Sequence, residues 1–238
     1  MEDNKSENLN TYILGSGSPP PNKKDSSMPG PDDIDKIRKK LEAFKKAVLK
    51  KFKFIKALCL LPAQAFQMFE EEEIPQNFHE ELKKTKPLHL LMIIPEEEYK
   101  NLAKIKPEII KLAKESGEKL WVHIKSEVDL WGYGLDSKFS FIDAISASMP
   151  LHDTGFLGAL RVANLHKTLV LRRFDRYIAS YVIAGSLVRG TADPTSDIDV
   201  FIVIDDTDVK RMSRIELQER LRSIIYEQIR EATALAGV

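Results

Sequence analysis

The amino-acid sequence predicts an α/β (α+β) protein, and two observations carry this prediction. Apolar runs rich in β-branched residues, such as Pro87 to Ile94 and Ile198 to Ile204, are typical of strands. Between such runs, apolar residues recur at spacings of three and four, which predicts helices. The chain has 238 residues, enough for two small domains or one of moderate size.

The composition argues against several classes of protein. The 36 basic and 36 acidic side chains leave a net charge of zero, so no overall field favours nucleic acid. Cys59 is the one cysteine, which rules out an internal disulfide and suits a reducing compartment. No run approaches the roughly 18 apolar residues of a membrane span, and Tyr12 to Leu14 is too short for a signal-peptide core. We therefore expect a cytoplasmic protein with no membrane partner.

The N-terminal part predicts a disordered tail followed by a helix. Residues 1–31 are rich in Ser, Asn, Pro, Gly and Lys, and Gly15 to Pro21 is interpreted as linker. Asp32 or Asp33 is the expected N-cap of the helix. Its apolar stripe consists of Ile34, Ile37, Leu41, Phe44 and Val48.

Strands and helices alternate through the middle of the chain. The predicted strands are Phe54 to Pro62, Pro87 to Ile94 and Lys119 to Lys125. A helical stretch from Glu96 to Glu115 is expected to be divided at Pro107, because proline interrupts helical hydrogen bonding. His152 and Asp153 are interpreted as part of a turn before the next helix.

The C-terminal part repeats this alternation. Its predicted elements are a helix from Phe156 to Ile178, a strand from Tyr181 to Ala184, a turn at Gly185-Ser186, a strand from Ile198 to Ile204 and a helix from Ser213 to about Leu235. Ser213 is the expected N-cap of the last helix, with Glu216 completing a capping box.

An internal repeat relates the two parts. Phe54 to Ala63 aligns with Tyr177 to Ser186 so that Ala63 falls beneath Ser186, and Thr85 to Glu97 aligns with Thr195 to Thr207 so that His89 falls beneath Asp199. The two blocks do not share one sequence offset, so the alignment needs a gap between them. The apolar residues match, but the first copy lacks the polar residues of the second. We therefore predict two tandem copies, the first of them degenerate, with its histidines His89 and His123 in structural roles.

Two carboxylates open the strong strand of the second copy. Asp197 and Asp199 are two residues apart, so on a strand they would lie side by side on one face. Carboxylates this close repel each other unless a cation lies between them. Hard oxygen ligands suit Mg²⁺, which takes one or two carboxylates together with phosphate oxygens and water. The pair therefore predicts a magnesium site.

The turn upstream supplies groups for a phosphate. Gly185 lets the backbone approach a ligand closely. The Ser186 hydroxyl and the backbone N–H groups that follow can donate to phosphate oxygens, and Arg189 is the nearest cation. These three residues are the candidate phosphate-binding set.

The order of strand, Gly185-Ser186, Arg189-Gly190 and Asp197-Ile198-Asp199 resembles the signature of the nucleotidyltransferase superfamily, which includes DNA polymerase β. The minimal nucleotidyltransferases are the most similar form. The resemblance implies a mixed sheet backed by helices, Mg²⁺, and transfer of a nucleoside monophosphate from a nucleoside triphosphate such as ATP. It also implies that Gly185 and Ser186 hold the triphosphate, and that Asp197 and Asp199 are the catalytic carboxylates that bind the metal.

One part of the family's pattern is missing from this sequence. The superfamily uses a third carboxylate, on a strand after the next helix, to activate the acceptor hydroxyl, and this sequence stops as that helix ends. Asp205, Asp206 and Asp208 are interpreted as a solvated turn. We therefore divide the chain into a tail (1–31), a degenerate nucleotidyltransferase-like domain (32–165) and a nucleotidyltransferase domain (166–238) truncated before its third carboxylate strand.

Other functions stay open at this point. A catalytically incomplete module could bind nucleotide and regulate or act as a scaffold, and the resemblance adds an antitoxin-like role with a helical toxin-like partner. The lysine-rich run from Lys45 to Lys56, with its phenylalanines, would suit a nucleic-acid backbone. The acceptor, whether an RNA end, a protein hydroxyl or a small molecule, is not determined by the sequence.

Overall fold

The computed structural model describes residues 31–73, 87–193, 195–205, 207, 210 and 212–237. The chain divides into two units, Met1–Asp35 and Lys36–Val238. The predicted disordered tail lies outside the described residues except for Pro31, which begins the first helix. No helix in the described part of the chain is both long and apolar enough to cross a membrane.

The elements follow one another in a mixed order of helices and strands. They are α1 (Pro31–Lys51), β1 (Ala57–Leu60), α2 (Phe66–Glu73), β2 (Leu88–Ile94), α3 (Glu96–Tyr99), α4 (Leu102–Glu115), β3 (Leu120–Ser126), α5 (Glu127–Leu135), α6 (Phe139–Ser146), β4 (Met149–Asp153), α7 (Phe156–Phe174), β5 (Ile178–Ala184), α8 (Gly185–Val188), β6 (Asp199–Ile204) and α9 (Arg214–Ala236).

Four strands form a mixed sheet in the order β3-β2-β1-β4. Strand β2 runs parallel to β3 and antiparallel to β1, and β1 is also antiparallel to β4. Because β2 has a neighbour on each edge and helices on both faces, its residues from His89 to Ile94 are all buried. This accounts for its uninterrupted apolar sequence, and the predicted mixed sheet backed by helices is confirmed.

Helices cover both faces of this sheet. Side chains of β2 alternate between the faces, with Leu90 and Met92 on one side and Leu91 and Ile93 on the other. Helices α1 and α4 cover the first face with Leu41, Phe44, Val48, Ile105 and Ile109. Helices α2, α5, α6 and α7 cover the second face, where Cys59 is also buried. Burial raises the pKa of the Cys59 thiol to about 11, so it stays protonated in the interior.

A second, two-stranded sheet is formed by β5 and β6 in antiparallel register. An isolated pair of strands is marginally stable in water. Here one face lies toward helices α7 and α9, which also pack on each other. The opposite face exposes Val182, Phe201 and Val203.

The registers of the two antiparallel pairs agree with the predicted repeat. The alignment places Ala57 beneath Ser180 and Ile93 beneath Val203, and Ala57 pairs with Ile93 as Ser180 pairs with Val203. The same holds for Leu60 with Leu90, which correspond to the paired residues Ile183 and Val200. The existence of two tandem copies stays a prediction.

Several element boundaries differ from those predicted. Helix α1 begins at Pro31, since proline is favoured at the first helical position. Pro107 lies inside α4, and the break falls earlier, where the Asn101 N–H and side chain both bond to Glu98. The segment from Met149 to Asp153, predicted as a turn, is strand β4. Ser213 is the N-cap of the last helix, as predicted, and its Oγ accepts the Glu216 N–H at 3.2 Å. The second bond of the capping box, from the Glu216 side chain, stays a prediction.

Candidate functional site

The Gly-Ser turn and Asp199 are brought together by the pairing of β5 with β6. Ala184, the last residue of β5, is the register partner of Asp199, the first residue of β6. The chain then turns at Gly185 with φ of 75°, a conformation that side chains disfavour. A Cβ atom added to Gly185 would lie 1.9 Å from Oδ2 of Asp199. The Asp199 carboxylate therefore occupies space that only glycine leaves open.

Asp197 lies outside the strand, which corrects the prediction that both carboxylates sit on it. Strand β6 begins at Asp199, because β5 ends opposite that residue and its pairing does not reach Asp197. Asp197 and Asp199 are nevertheless both exposed, while Ile198 and Val200 are half-buried. Both carboxylates are thus accessible to a ligand at the start of β6.

Asp193 organises the loop before the carboxylates, a role that the sequence analysis missed. Its Oδ1 accepts hydrogen bonds from the Thr195 N–H at 2.8 Å and from the Ser196 hydroxyl at 3.0 Å. The Thr195 hydroxyl also donates to Oδ1, at 2.8 Å. Of these hydrogen bonds, this one lowers the pKa of the Asp193 carboxyl the most. Asp193 is followed by Pro194, Thr195 and Ser196, and Asp-Pro with nearby Thr and Ser favours a turn, so the signal was present in the sequence.

The other two predicted nucleotide-binding residues lie on and just beyond helix α8. Ser186 is half-buried, and its carbonyl oxygen accepts the Thr191 N–H at 3.0 Å. Arg189 follows the helix and is exposed, and its N–H donates to the Gly185 carbonyl oxygen at 3.2 Å. Gly185, Ser186 and Arg189 therefore belong to one short hydrogen-bonded turn, and their role in binding nucleotide stays a prediction.

Residues far away in the sequence contact the turn that contains Gly185 and Gly190 and keep it in place. Glu127 is buried and pairs with the Lys56 ammonium at 2.5 Å, and the same ammonium donates to the Gly190 carbonyl oxygen. Gly190 has φ of 70°, and a Cβ there would lie 2.9 Å from Cδ of Glu127. The Trp131 Nε1–H donates to the Leu187 carbonyl oxygen at 3.3 Å. The first part of the chain therefore fixes the turn.

We expect Glu127→Ala to lower the free energy of unfolding by about 1–3 kcal/mol, because it leaves the partly buried Lys56 ammonium without its carboxylate. Urea denaturation of the two proteins measures this loss. Glu118→Ala is the matched control, since Glu118 pairs with Lys40 at a more exposed position and its loss should cost under about 1 kcal/mol. Equal losses in the two variants would contradict a special role for Glu127.

The other polar residues considered in the sequence, which are histidines and Asp153, contact groups of the protein itself. His89 and His123 are fully buried on neighbouring strands, with His89 Nδ1 at 2.9 Å from His123 Nε2. Asp153 accepts the N–H groups of Gly155, Leu157 and Gly158 and so caps α7, and His152 Nε2 lies 3.3 Å from the Ile55 carbonyl oxygen. His152 and Asp153 are thus bound to backbone groups of their neighbours.

The lysine-rich run is partly neutralised by glutamates. Lys45 pairs with Glu42 at 2.8 Å, and Lys51 pairs with Glu108. Lys56, at the end of the run, is committed to Glu127. These ion pairs reduce the positive charge that the run from Lys45 to Lys56 presents to solvent.

The fold is a mixed α/β one in which a sheet is backed by helices, and the turn at Gly185 faces Asp199. Comparison with family models gives a match of residues 165–233 to the nucleotidyltransferase domain. The match starts in α7, ends in α9 and includes Gly185, Ser186, Asp197 and Asp199, but it covers less than a third of the chain. The resemblance stated from the motif is thereby confirmed for the C-terminal part. Comparison with curated proteins and with solved structures gives no significant match.

Proposed function

We propose that this chain is a Mg²⁺-dependent nucleotidyltransferase that moves a nucleoside monophosphate from a nucleoside triphosphate to a hydroxyl acceptor. The observation that carries the proposal is the close approach of Gly185 to Asp199 inside the matched nucleotidyltransferase domain. The missing side chain at Gly185 lets the Asp199 carboxylate lie directly against the turn. A metal ion bound by that carboxylate would then lie beside the groups of the turn that could hold phosphate.

The residues at the start of β6 fit magnesium by their donor chemistry. Asp197 and Asp199 offer exposed carboxylate oxygens, the hard ligands that Mg²⁺ prefers. Within the described ranges, no group of three or more His, Cys, Asp or Glu side chains is placed to hold a metal ion. A site with two carboxylates leaves positions for phosphate oxygens and water, as is usual for Mg²⁺. When bound, Mg²⁺ would neutralise phosphate charge and support an in-line displacement.

The other residues of the turn would orient the triphosphate. The Ser186 hydroxyl donates to a phosphate oxygen, and the exposed Arg189 guanidinium pairs with phosphate from the end of α8. Asp193 holds the loop that carries Asp197, and Lys56 with Glu127 holds Gly190. The division into domains at 32–165 and 166–238 is kept as part of this proposal.

The acceptor of the nucleotide and the binding partner of the protein are also proposals. An RNA end, a protein hydroxyl and a small molecule are the acceptor classes, and a helical toxin-like protein is the proposed binding partner. The alternative of a catalytically incomplete regulatory module predicts binding of nucleotide without transfer. An assay of transfer therefore separates the two functions.

We expect label from an α-³²P nucleoside triphosphate, and none from the γ-³²P form, to become attached to an acceptor in the presence of Mg²⁺. Each of the four triphosphates is incubated with the protein and with RNA or protein acceptors, and the label is counted after gel separation. Addition of EDTA should abolish the transfer and excess Mg²⁺ should restore it. Transfer of γ-label would make the chain a kinase, and binding without transfer would favour the regulatory module.

A further inference from the structure

The positive charge of the chain is concentrated on one layer of the fold. Residues 36–53 and 102–119 contain 14 basic and four acidic side chains, a net charge of +10. Because the whole chain has a net charge of zero, the other residues together carry −10. The first segment includes most of helix α1 and the second includes helix α4, and both helices cover the same face of the four-stranded sheet.

Two ion pairs join these helices into one surface. Lys51 of α1 pairs with Glu108 of α4, and Lys40 pairs with Glu118 at 2.6 Å. The later residue of α1 thus pairs with the earlier of the two glutamates, so the helices lie side by side and run antiparallel. The two segments therefore form one continuous surface, which we call the α1–α4 surface.

Lysines form a line along the exposed side of each helix. Lys39, Lys46 and Lys50 recur at spacings of seven and four, so they lie on one face of α1, and all three are exposed. Lys104 and Lys111 are seven residues apart on α4 and are also exposed. The line on α1 extends over about 16 Å, since a helix rises by about 1.5 Å per residue.

The carboxylate of Glu42 responds to several of these cations together. A hydrogen bond from Lys45 is the largest cause that lowers the pKa of the Glu42 carboxyl. The charges of Lys46 and Arg38 lower this pKa further. Neighbouring cations on α1 therefore act on a single anion, as they would on a phosphate group.

The chemistry of the surface favours a nucleic acid over a membrane. Helices that lie on a membrane present apolar residues to the lipid, whereas Leu41, Phe44 and Val48 of α1 are buried against the sheet. Lysines are compact point charges, and contacts to phosphate carry no sequence information. A line of lysines therefore suits a nucleic acid, whose strands carry one charge about every 3.4 Å in a duplex.

We propose that the α1–α4 surface binds the phosphate backbone of a nucleic-acid strand without regard to its sequence. The surface lies outside residues 165–233, which match the nucleotidyltransferase domain, and its binding of nucleic acid does not depend on nucleotide transfer. At one end, Lys53 is three residues from Lys56, whose ammonium donates to the Gly190 carbonyl oxygen. A strand bound at this end would therefore lie near the turn that contains Gly190.

Fluorescence anisotropy on the full chain tests this surface, with labelled oligouridine RNA and oligothymidine DNA as probes and without triphosphate or Mg²⁺. We expect the logarithm of the association constant to fall by about 3 or more per tenfold rise in salt, as for four or five phosphates of a single strand. Binding of either probe supports the proposal, and the tighter one identifies the kind of strand. The combined variant Lys39→Gln, Lys46→Gln and Lys50→Gln should make this slope shallower by about 2 and weaken binding at low salt by about 10-fold or more.

Two combined variants control for the loss of charge. Arginines at the same three α1 positions keep the charge and should keep the binding. Arg172→Gln, Arg222→Gln and Arg230→Gln remove three charges from exposed positions of α7 and α9, and affinity should stay within about twofold, since distant exposed charges are screened by salt.

A second loss of charge, on α4, makes the test independent of any one variant. Lys104→Gln with Lys111→Gln should also weaken binding and flatten the salt dependence. Circular dichroism identifies which variants are folded, and one folded glutamine variant of the surface is enough. The proposal is overturned if neither probe binds, if a folded glutamine variant of the surface binds like the wild type, or if the arginine-to-glutamine control loses as much affinity. It is also overturned if vesicles of phosphatidylserine and phosphatidylcholine, or polyglutamate, bind as tightly as the oligonucleotides.

Discussion

Asp199→Asn is expected to lower the rate of Mg²⁺-dependent nucleotide transfer by about 10³-fold or more, because loss of one carboxylate removes several kcal/mol of charge stabilisation around the metal. The substitution is nearly isosteric and the residue is exposed, so the fold should be unchanged. Asp197→Asn is expected to act in the same direction. Initial rates with an α-³²P nucleoside triphosphate measure both effects, and thermal denaturation checks that the variants are folded.

Asp205→Asn provides the matched control for these two variants. Asp205 directly follows the other end of strand β6, and its carboxylate accepts the Thr207 N–H at 2.9 Å. The Thr207 hydroxyl and this N–H lower the pKa of the Asp205 carboxyl, as expected of a residue that organises a turn. Transfer by Asp205→Asn should stay within about twofold of the wild type, since a surface change of this kind is small. Full activity in both Asp197→Asn and Asp199→Asn would refute the assignment of the site.

Gly185→Ala is expected to have the second largest effect. Alanine at φ of 75° costs about 1–2 kcal/mol of stability, and its Cβ would lie 1.9 Å from Oδ2 of Asp199. The Asp199 carboxylate must therefore move, and displacement of a catalytic group by about 1 Å can cost about 10²-fold in rate. We expect that loss in the transfer assay, together with weaker binding of the triphosphate in equilibrium dialysis.

Gly132→Ala and Gly134→Ala are the controls for Gly185→Ala. Both glycines lie inside helix α5, and a Cβ at either position meets no described atom within 4 Å. Alanine is the better helix former, so each change should raise stability by about 0.5–1 kcal/mol and leave transfer unchanged. If Gly185→Ala behaved like these two variants, the contact between Gly185 and Asp199 would have no role in function.

The residues of the turn and of the start of β6 could be singled out from the sequence. The distant residues that keep the turn in place could not. Gly185, Ser186 and Asp199 lie within one short segment, so the spacing of the motif and the strand pattern around it were sufficient. Lys56 and Gly190 are 134 residues apart, and nothing in the pattern of either segment indicates their contact. His166 Nδ1 lies 2.8 Å from the Tyr181 hydroxyl, and nothing in the sequence pattern indicates this contact between helix α7 and strand β5.

Errors in the fold prediction also have physical causes. Strand β4 contains Pro150, which argues against a strand in the interior of a sheet. Among the described strands, β4 lies at the edge of the sheet and pairs only with β1, with a shift in register next to Cys59, so the missing N–H is tolerated. The inner strand β2, in contrast, was predictable because burial on both faces selects an unbroken apolar run.

The contacts of Lys56, Glu127 and Trp131 with the turn have a consequence for the order of folding. The turn is held by groups that meet only after a long stretch of chain has closed, and such non-local contacts form late. The amide hydrogens around Gly190 should therefore exchange with solvent through large-scale opening rather than through local fluctuation. The ability to bind a nucleotide would then report the cooperative folding of the whole unit from Lys36 to Val238, although the matched domain begins only at residue 165.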